Sequence, residues 1–417
     1  MTGSRDGILI CLASIVVLAT PFDRFAVSNV PLVRNVAAIA GILFVFAYLL
    51  QRGGTIRVVS APQRWALVFI AFVALVELVR LALADVVVLT GTPSATRILL
   101  LYLSWVQPVV LFILLADVAR NPRSLAAILF GLPILMAVLT VSFFGTSDTR
   151  WSPLGWNPNY AAFVYGMSLL VAVWWLLHHI TKTSIVSVAF AASTPLLLIG
   201  LIASGSRGAA LGAAFGLLVL FALSVNFVRL LAITVVVISS FAVFGEELIS
   251  LSDPLISRFQ GAVEGTSRGG RDTIWNVAYE LWMASPLWGY GLQASSAIGE
   301  VLRDGRSLAA HNTYLSLLLA FGPLGFILYF GVIASTAARL WPYRSDSRAV
   351  LFLALIAHAV GSMAFNDFLQ NKFIWVMLAL ASQVPRWADS SAQPTLSSAP
   401  EAAHPRTERE ARAFDGQ

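Results

Sequence analysis

Apolar stretches long enough to cross a lipid bilayer recur along almost the whole of this chain, and no other feature restricts its fold so severely. A spanning helix needs about 20 mostly apolar residues. Of the 417 residues, 58% are hydrophobic and 12% charged, so the chain cannot supply the charged shell of a soluble domain. The fold class is therefore an all-α integral membrane protein of about twelve transmembrane helices.

The candidate spans are 8–22, 36–50, 65–84, 97–116, 124–144, 159–178, 184–203, 208–224, 228–245, 312–338, 348–364 and 372–385. The stretch from Ile8 to Thr20 has the length of a signal-peptide core, but with so many spans behind it we read it as the first membrane helix. Arginine and lysine in short loops set the orientation. With both termini in the cytoplasm, Arg52, Arg57, Arg64, Arg120, Arg123, Lys182, Arg229, Arg339, Arg344 and Arg348 fall on the inner side. Residues 1–245 then hold helices one to nine and 246–311 form a large extracytoplasmic loop between helices nine and ten. Residues 312–385 hold the last three helices, and 386–417, rich in Ser, Ala, Pro and charge, read as a disordered cytoplasmic tail.

A loop of that size in a compact protein is usually functional or disordered. It contains a helix candidate from Thr273 to Ala284, with Ile274, Val277, Ala278, Leu281 and Trp282 at helical spacing, Asp272 as a cap and Pro286 beyond its end. The apolar face suits either the bilayer surface or other loop residues. The formal charge of +6 does not point to nucleic acid: the arginines lie mainly between apolar segments, where topology explains them, and no basic-aromatic motif accompanies them. A single cysteine, Cys11, excludes an intrachain disulfide.

Three spots on the outer side combine turn residues with a group able to do chemistry: Ser204-Gly205-Ser206-Arg207-Gly208, Gly269-Gly270-Arg271-Asp272 and Ala310-His311-Asn312-Thr313. Each directly precedes a helix. The first turn of a helix presents unpaired N–H groups and the positive end of the dipole, so a glycine-rich turn with an arginine there suits an anion. The planar guanidinium fork holds two phosphate oxygens at once. His311 differs in kind, since an imidazole takes and releases a proton near neutral pH. The residues alone leave a plainer reading open for each: interfacial anchors for Arg207 and Arg271, a capping neighbour for His311, an N-cap for Asn312. Asn157-Pro158-Asn159 is accounted for as a helix start. Gly208, Gly212 and Gly216 make GxxxG steps for close helix packing. Glu77 and Arg80, within the third span at i,i+3, are expected to neutralise each other inside the protein. No D-x-D motif offers paired acids for a divalent metal, and the long loop is not net basic, so any anion site there is local.

Taken in order, Gly155-Trp156-Asn157-Pro158-Asn159, Ser204-Gly205-Ser206-Arg207-Gly208-Ala209, Gly270-Arg271-Asp272-Thr273-Ile274-Trp275, Pro286-Leu287-Trp288-Gly289-Tyr290-Gly291, His311-Asn312-Thr313-Tyr314-Leu315 and Gly322-Pro323-Leu324-Gly325 resemble the O-antigen ligase and polymerase superfamily of bacterial envelope enzymes. The resemblance runs from about residue 155 to 325 and rests on the order of the motifs, each weak alone. It implies a multi-pass enzyme of the bacterial inner membrane that takes a polyprenyl-diphosphate-linked glycan as donor and a glycan or lipid hydroxyl as acceptor. Membrane lipids are its other partners, and neither metal nor other cofactor is needed. It also implies that Arg207 and Arg271 bind the diphosphate and that His311 is the base. Asn312 and Asn159 join the candidate substrate-binding residues, the role of the Asn157-Pro158-Asn159 motif being open. The spacing of His311-Asn312 to Gly322 and Gly325 resembles the ligase pattern, with a polysaccharide polymerase as the alternative within the superfamily. A twelve-span lipid-glycan transporter is the alternative of another class; it expects internal repeats and charged residues along a path.

Overall fold

The computed structural model describes residues 3–19, 36–51, 58, 60–82, 95–118, 122–143, 157–179, 184–224, 256, 271–302, 308–369 and 371–392. Among these there are helices and turns and no strand. In chain order the α-helices are α1 Gly3–Ala19, α2 Val36–Gln51, α3 Ala61–Ala82, α4 Ala95–Val118, α5 Pro122–Phe143, α6 Pro158–His179, α7 Ile185–Ala203, α8 Arg207–Ser224, α9 Arg271–Ala284, α10 Ala294–Val301, α11 Thr313–Leu340, α12 Ser347–Met363, α13 Lys372–Ala381 and α14 Val384–Ala392.

By length and composition Ala61–Arg80, Pro158–His179, Ile185–Ala203, Arg207–Ser224 and Thr313–Tyr343 can each cross a membrane, and Ile39–Gln51, Tyr102–Val118, Phe130–Ser142 and Ser347–Met363 are shorter apolar helices. Large apolar side chains such as Ile42, Phe46, Leu78, Val188 and Leu218 stand on the outer surface of the bundle, where lipid would cover them. The chain is a multi-pass membrane protein. The expected span 228–245, the start of the outer loop apart from Ile256, and the tail beyond residue 392 lie outside the described residues.

Helix α6 runs through the middle of the bundle and is buried on nearly every side. Among the described helices α8 and α12 pack together most extensively, and the GxxxG glycines allow it. A Cβ at Gly212 would run into Ser362 Oγ and the His358 carbonyl, and one at Gly216 would reach the Ala354 carbonyl at 2.9 Å. His358 is fully buried between these helices and α6, stacked on Phe163 at 4.9 Å with its Nε2 at 3.0 Å from the Phe163 carbonyl.

The segment expected to form the outer loop is more helical than its sequence indicates. Helix α9 begins at Arg271, so Asp272 sits inside the first turn, where its charge favours the helix dipole, and does not precede the helix as a cap. Val277 and Ala278 are buried, and α9 packs on the membrane helix α11 as well as on α10, which neither of the two placements left open for its apolar face describes alone. A 3-10 turn Gly291–Gln293 and α10 come next, in a stretch where the sequence indicates no helix. At the other end, the expected span 372–385 is divided at Ser382 and Gln383 between α13 and α14. Residues 386–392, assigned by composition to the tail, are helical.

Helix α11 is bent at Gly322-Pro323. Gly322 has φ 62° and ψ −168°, a conformation essentially reserved for glycine, and Pro323 brings no N–H. The bend frees the Leu319 carbonyl, which accepts the Tyr290 N–H at 2.7 Å. A Cβ at Gly322 would run into the Leu287 carbonyl, so the turn at Pro286–Gly291 fits into the bend. From α3, Glu77 Oε1 accepts the Leu292 N–H at 2.7 Å and Arg80 Nη1 donates to the Gly289 carbonyl at 3.4 Å. The two charges do attract, but each is spent on the loop backbone instead of closing on the other, which amends the simple self-neutralising pair read from the sequence.

Candidate active site

Arg207 is the first residue of α8, reached through the Ser204–Ser206 turn. The buried Ser204 hydroxyl donates to the Leu201 carbonyl at 2.6 Å and its oxygen accepts the Ser206 N–H at 3.3 Å, fixing the turn. The Arg207 guanidinium then lies over the Phe365 ring, 5.9 Å from its centroid. That contact holds the charge against a π face.

Arg271 opens α9 and its Nη1 lies 3.5 Å from the Phe365 carbonyl, at the limit of a hydrogen bond. One turn on, the Trp275 ring packs on Phe365 at 6.3 Å and its indole N–H donates to the Ala310 carbonyl at 2.7 Å. Helix α9 therefore ties Phe365 to the residue before His311.

His311 has φ 51°, an uncommon backbone for a residue with a side chain. Its two successors in the chain pin it in place. Thr313 donates from both its N–H and its hydroxyl to the Asn366 carbonyl, at 3.0 and 2.6 Å, and its hydroxyl oxygen accepts the Phe368 N–H at 3.0 Å. Asn312 is the N-cap of α11, its side-chain oxygen accepting the Leu315 N–H at 3.2 Å.

Asp367 completes this group. Its carboxylate accepts the Ser316 hydroxyl at 2.9 Å, and its charge acts on His311. Burial holds the His311 imidazole below its ordinary pKa, the Arg271 charge lowers it further, and Asp367 opposes both. The balance leaves the ring neutral near pH 7, with a lone pair available to take a proton.

The structure thus gathers Arg207, Arg271 and His311 around one short segment, Phe365–Asp367, between α12 and α13. Asn157 caps α6, its side-chain oxygen accepting the Asn159 N–H at 3.0 Å. Asn159 lies at the same end of the bundle, since Phe163, one turn further along α6, packs on Phe368 at 4.6 Å.

Sequence reasoning missed Phe365, Asn366 and Asp367. The available signal was a pair of polar residues, Asn366-Asp367, in the short connection between the last two expected spans. Along the chain that connection is far from Arg207, and nothing in the spacing joins the two. Two guanidinium groups beside a neutral imidazole and a carboxylate can stabilise a leaving phosphate while a proton is removed from an attacking hydroxyl.

Residues 192–330 match the family model described as O-antigen ligase, a stretch that takes in α8, the outer segment and most of α11. No curated relative matches the chain.

Proposed function

Given the O-antigen ligase domain that places this chain in the O-antigen ligase and polymerase superfamily, we propose that it transfers a glycan from a polyprenyl-diphosphate carrier to an acceptor hydroxyl. The reaction takes place at the periplasmic face of the bacterial inner membrane, in a twelve-span protein with both termini in the cytoplasm. The carrier explains the setting: at about 0.8 kcal/mol per buried CH₂, a polyprenyl chain stays in the bilayer, so the reacting diphosphate stays at its surface.

His311 takes the proton of the acceptor hydroxyl as its oxygen attacks the anomeric carbon. The bond from that carbon to the diphosphate oxygen breaks, and its electron pair leaves with the diphosphate. Arg207 and Arg271 hold the charge of the departing group, which spares the reaction a metal. Asp367 orients His311 and stabilises the imidazolium as it forms. The products are the glycosylated acceptor and polyprenyl diphosphate. Asn312 serves as a cap that fixes His311 and Asn159 borders the site.

The observation that carries this reading is the approach of both arginines to Phe365, whose near neighbour Asp367 is close enough for its charge to act on His311. The test is a proteoliposome assay with lipid-linked glycan and the acceptor glycolipid fraction of the source cells. Covalent transfer that is lost in Arg207→Ala, Arg271→Ala and His311→Ala, with the variants still in the membrane, supports the assignment. Full transfer by all three would refute these roles, and movement of the glycan across the bilayer without transfer would make the protein a carrier.

A further inference from the structure

A cavity of about 220 Å³ lies between the outer segment and the membrane helices. Trp105 of α4, Ser295 of α10, Ala309, Ala310, Ser316 of α11 and Asp367 stand on its wall. The Glu77–Leu292 bond braces the same wall from below, and the Ser295 carbonyl accepts the Leu308 N–H at 2.9 Å, tying α10 to the stretch of chain that leads into His311. The volume is about the share of seven waters in the liquid, room for one sugar ring. It falls below the roughly 300–1,000 Å³ of clefts for larger organic ligands.

The lining has the chemistry that recognises a pyranose. An indole offers an apolar platform to ring C–H groups, and a carboxylate and hydroxyls meet sugar hydroxyls. Neither arginine lines the cavity, and nor do Phe365 and His311 itself, whereas Ala310, the chain neighbour of His311, and Asp367, which acts on it, both do. The cavity therefore borders the proton-accepting half of the site and not the diphosphate half. Resting on the transferase reading above, we propose that this cavity seats the terminal sugar ring of the acceptor against Trp105, with its hydroxyls toward Asp367 and Ser295. The attacking hydroxyl then meets His311 from the cavity side. Trp105 and Ser295 become determinants of which acceptor sugar is used.

The test separates the two substrates kinetically, with purified lipid-linked glycan as donor and the glycolipid fraction of the source cells as acceptor. Ala309→Phe fills the cavity from a position outside the catalytic group. It is expected to raise KM for the acceptor about tenfold or more, the range for loss of a pocket contact, while KM for the donor and binding of free polyprenyl diphosphate stay as in the unaltered protein. Trp105→Phe, which keeps a ring, is expected to lie between the unaltered protein and Trp105→Leu. An unchanged acceptor KM in Ala309→Phe overturns the inference, and so does a raised donor KM in its place, which would assign the ring to the donor. Either result leaves the transferase reading intact. Only failure of the unaltered protein to transfer sugar while it binds polyprenyl diphosphate would overturn both.

Discussion

Glu77 Oε1 accepts the backbone N–H of Leu292 at 2.7 Å, joining the third membrane helix to the outer segment across 215 residues of chain. Glu77 is 6% exposed, and the Leu292 N–H it receives is buried. A Cβ at Gly291, whose φ is 60°, would run into the same carboxylate oxygen, so the approach depends on glycine. Removing the acceptor leaves a buried donor unsatisfied, at a cost of about 1–3 kcal/mol. Glu77→Ala is therefore expected to lower the thermal unfolding midpoint and to expose the 285–302 segment to protease. Glu77→Gln, which keeps an acceptor oxygen, is expected to show a smaller loss. Equal protection in all three forms, measured by limited proteolysis in lipid nanodiscs, would show that the bond does not hold the segment.

Arg207 keeps its guanidinium over Phe365, and lysine can replace the charge but not the planar fork. Arg207→Lys is expected to reduce transfer by about 10- to 100-fold, the loss of one charge-assisted hydrogen bond, and Arg207→Ala by more. The comparison is made on initial rates of glycan transfer at saturating acceptor. Full activity of the lysine variant would mean that a point charge suffices.

The pH dependence has a definite sign. In the proposed mechanism His311 acts in its neutral form, and its pKa lies below the ordinary imidazole value because burial and Arg271 outweigh Asp367. Activity should therefore persist below the ordinary imidazole range and fall on an acid limb at the lowered pKa. Asp367→Asn removes the group that raises the pKa, so the limb moves to lower pH while the maximal rate drops. Arg271→Gln removes a group that lowers it, so in the residual activity the limb moves to higher pH. A rate profile in which both variants shift the same way would contradict the arrangement.

Gly322 combines φ 62° with a close approach of the Leu287 carbonyl. Any side chain there is strained by about 1–3 kcal/mol and also pushes the Pro286–Gly291 turn out of the bend. Gly322→Ala is expected to lower the unfolding midpoint in detergent and to weaken transfer. Leu324→Ala, at an exposed position two residues on, should leave the midpoint nearly unchanged.

Much of this protein is legible along the chain because bilayer length and helical period are one-dimensional properties. The ends of α6, α7 and α8 lie within a residue or two of the expected spans, where Pro158, the Ser204–Ser206 turn and the loop cations mark them. Arg207, Arg271 and His311 stand out for a related reason: each is a polar residue at a helix start in a chain that has few. Helix α10 was not legible, because Ala294–Val301 is short and rich in small residues and owes its helix to packing. Glu77 and Arg80 do attract each other inside the protein, as their i,i+3 spacing suggests, but nothing in the spacing reveals that a loop backbone approaches both.

The order of apolar spans and the residue types fit for phosphate and proton chemistry are set by the sequence itself, since they follow from local composition and period. Which of those residues meet was decided only by the tertiary structure. The packing of α8 on α12 brings Phe365 to Arg207, and the bend at Gly322 admits the turn held by Glu77 and Arg80. The bonds of Thr313 to Asn366 and Phe368 set Asp367 beside His311. These contacts depend on close approach between segments far apart in the chain, and distance in space has no signature in spacing along it.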